Sequence, residues 1–102
     1  VKAKRDKFTY DELKLLAMHL RALSSLRIGG NTSDKLLASI LLPLSLRVIK
    51  HLDDVKTEYV LSFQLDERLA FMLAFEKGYL RNENVWSKNF LQSLYNSFHK
   101  KS

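Results

Sequence analysis

Apolar and polar positions along the chain divide it into four helical segments. The first has the clearest start signal: Thr9 and Glu12 match a capping box, and Phe8 and Leu13 are spaced as a hydrophobic staple. Leu13, Leu16, Leu20 and Leu23 then recur at helical spacing, with Ala17 beside them and Asp11, Lys14, Arg21 and Ser25 on the wet side. Leu15, Ala22 and Leu26 widen the apolar face, which predicts more than one neighbour for this helix. Gly29-Gly30 is the expected stop, and Asn31-Thr32-Ser33 supplies caps for the next helix.

The second segment runs from about Ser33 to His51, with Leu36, Leu37, Ile40, Leu41, Leu44 and Val48 on one face. Pro43 removes a hydrogen bond and crowds the carbonyl of Ser39, predicting a kink or a division into two short helices. Asp53-Asp54 supplies the next break and a cap.

The third segment holds the densest apolar stretch, Leu69-Ala70-Phe71-Met72-Leu73-Ala74-Phe75. Its Leu, Ala and Met favour helix, none of the seven is β-branched, and Gly78 is a natural stop. Asp66 is a possible cap, or Asp66-Glu67 lie in the first turn, where carboxylates suit the dipole. Being apolar all round, this helix is expected at the centre, covered by the others. Just before it, Tyr59, Leu61, Phe63 and Leu65 alternate as in a strand. No second strand is evident, and a lone strand leaves its backbone groups unsatisfied. Residues 57–65 are therefore assigned to the front half of the third helix, starting near Asp54, with a strand completed by a second chain as the alternative.

After a polar loop over 79–84, the fourth helix carries Trp86, Phe90, Leu91, Leu94, Tyr95 and Phe98 on one face and Lys88, Gln92 and Asn96 on the other. The expected fold is all-α, a compact bundle of four helices, or five if Pro43 divides the second.

At 102 residues and 46% apolar content the chain is a single folded domain. With no cysteine, disulfides and thiolate metal sites are excluded. Residues 36–46 are too short to span a bilayer, and no signal pattern follows the basic amino-terminal residues. An intracellular location is expected.

Charge changes the picture more. The net charge is +6, but residues 8–99 hold 11 basic and 10 acidic side chains and are nearly neutral. The excess lies at the ends, which predicts a flexible basic arm over 1–7, a helical domain over 8–99 and a basic tail over 100–102.

Candidate chemistry is sparse. Gly29 to Ser33 precedes a helix but lacks phosphate-loop spacing and its lysine. His51, Asp53 and Asp54 form the one compact histidine–carboxylate group, which a helix end and a following cap explain without a metal. His19 reads as a half-buried packing histidine, and His99 lies in the basic tail. Asp11-Glu12 and Asp66-Glu67 both fall at helix starts, and adjacent residues point apart. No hydrolase or metalloprotease signature occurs. As a helix-turn-helix, the groove-reading helix would begin Asp34-Lys35-Leu36-Leu37, offering almost nothing for base edges. Neither an enzyme, a cofactor, a metal nor a small-molecule substrate is expected.

The expected function is a non-catalytic helical protein-interaction or self-association domain, alone or within a larger protein. Four broad apolar faces carry more apolar surface than one small core hides, which favours a homodimer seam or a partner groove. Trp86, Phe90 and Tyr95 are the expected interface anchors, with Leu15 and Met18 as a second patch. The alternative is a nucleic-acid-binding module placing Lys2, Lys4, Arg5, Lys7, Lys100 and Lys101 on phosphates, supported by Arg47 and Lys50.

Overall fold

The computed structural model describes residues 4–23, 30–80 and 84–101. They form, in order, strand β1 (Lys4–Phe8), helix α1 (Tyr10–Ala22), helix α2 (Thr32–His51), strand β2 (Tyr59–Phe63), helix α3 (Leu65–Glu76) and helix α4 (Val85–Lys101). The fold is mostly helical. Successive helices pack on one another from α1 to α4, and α1 also meets α4, so the bundle closes on itself. The expected stop at Gly29 and the apolar position Leu26 lie outside the described residues.

Two expectations are corrected by the sheet. Residues 57–65 do not begin the third helix, because Tyr59–Phe63 is a strand. Its partner is not a second chain but β1, paired antiparallel with Phe8 opposite Tyr59, Asp6 opposite Leu61 and Lys4 opposite Phe63. Residues 4–7, read as part of a charged arm, thus belong to a strand. Ladder hydrogen bonds join backbone groups and place little demand on the side chains, so KRDKF can pair despite its charge. Phe8 anchors one end of the pairing: it is buried, as are Tyr59, Leu61 and Phe63, while Lys7 and Val60 on the other face are exposed.

An aromatic relay ties the sheet to the helices. Phe90 meets Phe8 at 6.1 Å, Phe8 meets Phe63 at 5.9 Å, Phe63 meets Phe98 at 5.0 Å and Phe98 meets Phe71 at 5.4 Å, all edge to face. Leu13, Leu16, Leu20, Leu37, Leu41, Leu44 and Val48 complete the core.

The caps follow the sequence closely. Thr9 and Glu12 form the capping box of α1, and Asn31 and Asp34 form that of α2. In α3, Asp66 and Glu67 occupy the first turn, and the Glu67 carboxylate accepts the Gln64 N–H at 2.8 Å. At its far end Gly78 adopts φ 80°, a left-handed conformation that favours glycine. There the Tyr79 N–H donates to the Ala74 carbonyl and the Gly78 N–H to that of Phe75, as in a Schellman motif. Pro43 lies inside α2, which continues through to His51.

A third correction concerns coverage. α3 is apolar on all sides but not covered on all sides: Ala70, Phe71 and Ala74 are buried, whereas Leu65, Leu69 and Leu73 are exposed. On α2, Leu37, Leu41, Leu44 and Val48 are buried as expected, but Leu36 is 59% exposed. Part of the hydrophobic pattern therefore faces outward rather than into the core.

A polar cluster fixes the junction of α2 with the turn after α3. The Asp34 carboxylate accepts Lys77 Nζ at 2.9 Å and the Tyr79 hydroxyl at 2.8 Å. The Lys77 hydrogen bond, then that of Tyr79, hold the Asp34 pKa below its ordinary 3.8. The same contact with Asp34 raises Lys77 above 10.5. The stabilisation is therefore full between the two ordinary values. It is lost as pH falls through the lowered Asp34 value, and again as pH climbs through the raised Lys77 value. Urea midpoints measured from neutral to acid pH should fall more steeply for the native chain than for Asp34→Asn, which lacks this carboxylate. Equal slopes would show that the cluster does not couple to folding.

Candidate functional site

The expected interface residues come from α1 and α4. Along α1, Leu13, Leu16, Ala17 and Leu20 point inward, which leaves Asp11, Lys14, Leu15 and Met18 on the outer side. Along α4, successive residues turn by about 100°. Ser87, Leu91, Leu94 and Phe98 share the buried arc, Phe90 and Tyr95 lie half-buried on its two flanks, and Trp86 stands beyond Phe90. The helix starts at a fixed place because Asn84 Oδ1 accepts the Trp86 N–H at 2.8 Å.

Trp86 thereby meets the outer side of α1. Asp11, Lys14, Leu15, Met18 and Trp86 line one open groove of about 320 Å³. Met18 is 61% exposed and Trp86 49% exposed. The indole is held from behind, stacked on Phe90 at 6.2 Å, and Phe90 rests edge-on against buried Phe8. Leu15, Met18, Trp86 and Phe90, placed in two separate patches by the sequence, form one apolar surface with its rigid backing. Asp11 and Lys14 give it a rim of both signs.

Tyr95 is not part of this surface. It lies on the opposite flank of α4, stacked on Phe75 at 4.6 Å with its hydroxyl donated to Glu76 at 2.6 Å. That hydrogen bond, with burial second, raises its pKa above 10.0. Its role is to join α3 to α4.

Sequence reading missed a further apolar face. Leu36 and Leu46 of α2 and Leu65, Leu69 and Leu73 of α3 are all exposed. The spacing of the α3 leucines was legible, but a helix apolar all round gives no sign of which side neighbours will cover.

The basic residues are gathered differently from the expected pair of loose ends. Lys4 and Arg5 stand opposite Phe63 and Ser62 in the sheet, and Phe63 packs on Phe98, close to Lys100 in the last turn of α4. Arg47 reaches the same strand, donating from Nη2 to the Ser62 carbonyl at 2.7 Å and to Glu67 at 3.0 Å. β1 and the last turns of α4 thus both adjoin Phe63, at one pole of the bundle. Lys7 is exposed beside Glu58 at 3.8 Å. Lys50 lines a shallow basin with Arg47, His51, Asp54 and Lys56. Lys2, and the side chains of Lys4, Arg5 and Lys101, lie outside what is described.

Near this pole Arg68 is buried in the first turns of α3, and its Nε and Nη2 meet no acceptor among the described residues. His19 is half-buried on α1, and burial lowers its pKa below 6.5. His51, Asp53 and Asp54 are exposed at the end of α2, where the Asp54 carbonyl accepts the Tyr59 hydroxyl at 2.6 Å. Among the described residues, no helix is long and apolar enough to cross a membrane. Comparison with protein-family models, curated proteins and solved structures finds no match to this chain.

Proposed function

We propose that this is a non-catalytic protein-interaction domain whose docking site is the groove between α1 and α4. The observation that carries the reading is the convergence of Leu15 and Met18 with Trp86 in one open apolar groove. An exposed tryptophan backed by a packed aromatic ring is the kind of residue on which interface energy concentrates. An open groove between two helices suits the apolar face of an amphipathic helix, with anchors one turn apart. Asp11 and Lys14 at the rim would set its register through charges of opposite sign.

The test is a selection of amphipathic helical peptides on the intact chain, followed by binding to Met18→Glu. Met18 is exposed, so the change should leave the fold intact while placing a charge in the groove. Selected peptides should lose at least about tenfold in affinity for the variant, the effect of about 1.4 kcal/mol. Peptides that bind both proteins equally, or an empty selection, would contradict the reading.

A second reading, binding of nucleic acid phosphates, draws on basic residues of β1 and of the end of α4, two elements that both adjoin Phe63. Because β1 belongs to the sheet, truncating the amino terminus would remove a structural strand. Charge removal by Lys4→Gln with Arg5→Gln is the cleaner probe. On this reading, binding of labelled single- and double-stranded DNA weakens with salt, and the salt slope shrinks in the variant.

A further inference from the structure

We infer that the face formed by α2 and α3 is a self-association surface whose occupant is a second copy of this chain, arranged about a two-fold axis running along the helices. This inference does not depend on the groove between α1 and α4.

The first observation is the apolar character of the face. Leu65, Leu69 and Leu73 recur every fourth residue and so line one strip of α3. On α2, Leu36, Ser39, Pro43 and Leu46 recur at three- and four-residue spacing and line a parallel strip, all of them exposed. The strips lie side by side. α2 packs directly against α3, so the two strips lie on adjoining helices. Five exposed leucines on two adjoining helices are unusual for a surface that meets only water.

The second observation names the occupant. Lys77 is bonded to Asp34 at 2.9 Å and Arg47 to Glu67 at 3.0 Å, so α2 and α3 run antiparallel, with the start of α2 beside the end of α3. Lys35 is therefore level with Glu76, and Lys50 and Asp66 both lie toward the other end of the pair. Base borders the apolar strip on α2, and acid borders it on α3. A two-fold axis along the helices sets α2 of one copy against α3 of the other without changing level. Lys35 then faces the second copy's Glu76, with Lys50 and the second copy's Asp66 toward the far end and leucines between. An isologous interface requires this kind of self-complementary pattern. A uniformly acidic or basic partner would be repelled by one of the two helices.

The experiment is sedimentation equilibrium of the intact chain from the micromolar to the millimolar range. The native chain should show a monomer–dimer equilibrium. Leu69→Glu should weaken it by roughly tenfold or more, with helical circular dichroism unchanged because Leu69 is exposed. Lys35→Glu and Glu76→Lys should each weaken association, and the double variant should recover it. Each substitution places a charge that suits its helix end; Glu76→Lys also removes the acceptor of the Tyr95 hydroxyl, so its circular dichroism and urea midpoint are compared with those of the native chain. Met18→Glu should leave association unchanged. A native chain that stays monomeric overturns the inference, as does a dimer indifferent to Leu69→Glu. A dimer dissociated by Met18→Glu and not by Leu69→Glu overturns it too, by moving the seam to the groove.

Discussion

Replacing Phe63 with alanine is expected to cost about 3–5 kcal/mol of folding stability, the range for removing a buried aromatic ring. Phe63 is 1% exposed and stands between Phe8 of β1 at 5.9 Å and Phe98 of α4 at 5.0 Å. Its loss removes transfer energy, leaves a cavity, and separates the sheet from the helix that covers it. A domain of this size has about 5–15 kcal/mol in total, so the variant would stand near its unfolding threshold. Phe63→Leu keeps most of the volume and should cost less than the alanine change while remaining folded. Urea midpoints for both variants, compared at matched slopes, give the numbers directly. A loss below about 1 kcal/mol for the alanine variant would mean that the ring is not in a packed core.

The second large effect has the opposite sign. Arg68→Met should raise stability by about 1–3 kcal/mol, because burying a charged donor without an acceptor costs at least that much. Arg68 is 2% exposed, and Nε and Nη2 have no acceptor among the described residues. Methionine keeps the length and flexibility of the stem, so the change removes the charge with little change of volume. Thermal and urea unfolding should both move upward. A destabilised Arg68→Met would show that the guanidinium has an acceptor.

The helix starts were legible because their signals are local. Thr9 with Glu12, Asn31 before α2, and Gly78 after α3 each act within a few residues, and each falls where its side chain predicts. The strands were not legible for the opposite reason. The alternation of Tyr59, Leu61 and Phe63 was visible, but its partner lies more than fifty residues earlier in a segment whose composition suggests a solvated arm. Pairing between distant segments depends on backbone groups, which the identity of Lys4 or Arg5 does not reveal. α3 failed in a related way. A helix apolar on every side records how much surface wants cover, and Leu69 and Leu73 show that cover did not arrive everywhere.

The same division applies to the candidate site. Trp86, Leu15 and Met18 were chosen for their chemistry, and their meeting in one groove, with Phe90 behind the indole, depends on how α1 and α4 pack, which no spacing within either helix could fix. Tyr95 was chosen on the same grounds and lies elsewhere because it turns toward Phe75 and Glu76.

Trp86 is the only tryptophan in the chain and lines the proposed docking groove, so its fluorescence reports on occupation of that groove. The emission would be followed while a selected amphipathic helical peptide is titrated into the native chain and into Met18→Glu. Docking in the groove predicts a blue shift and protection from an aqueous quencher for the native chain, with both effects lost in the variant. A peptide that binds while the Trp86 emission and quenching stay unchanged would contradict docking in the groove and place the interaction on another face.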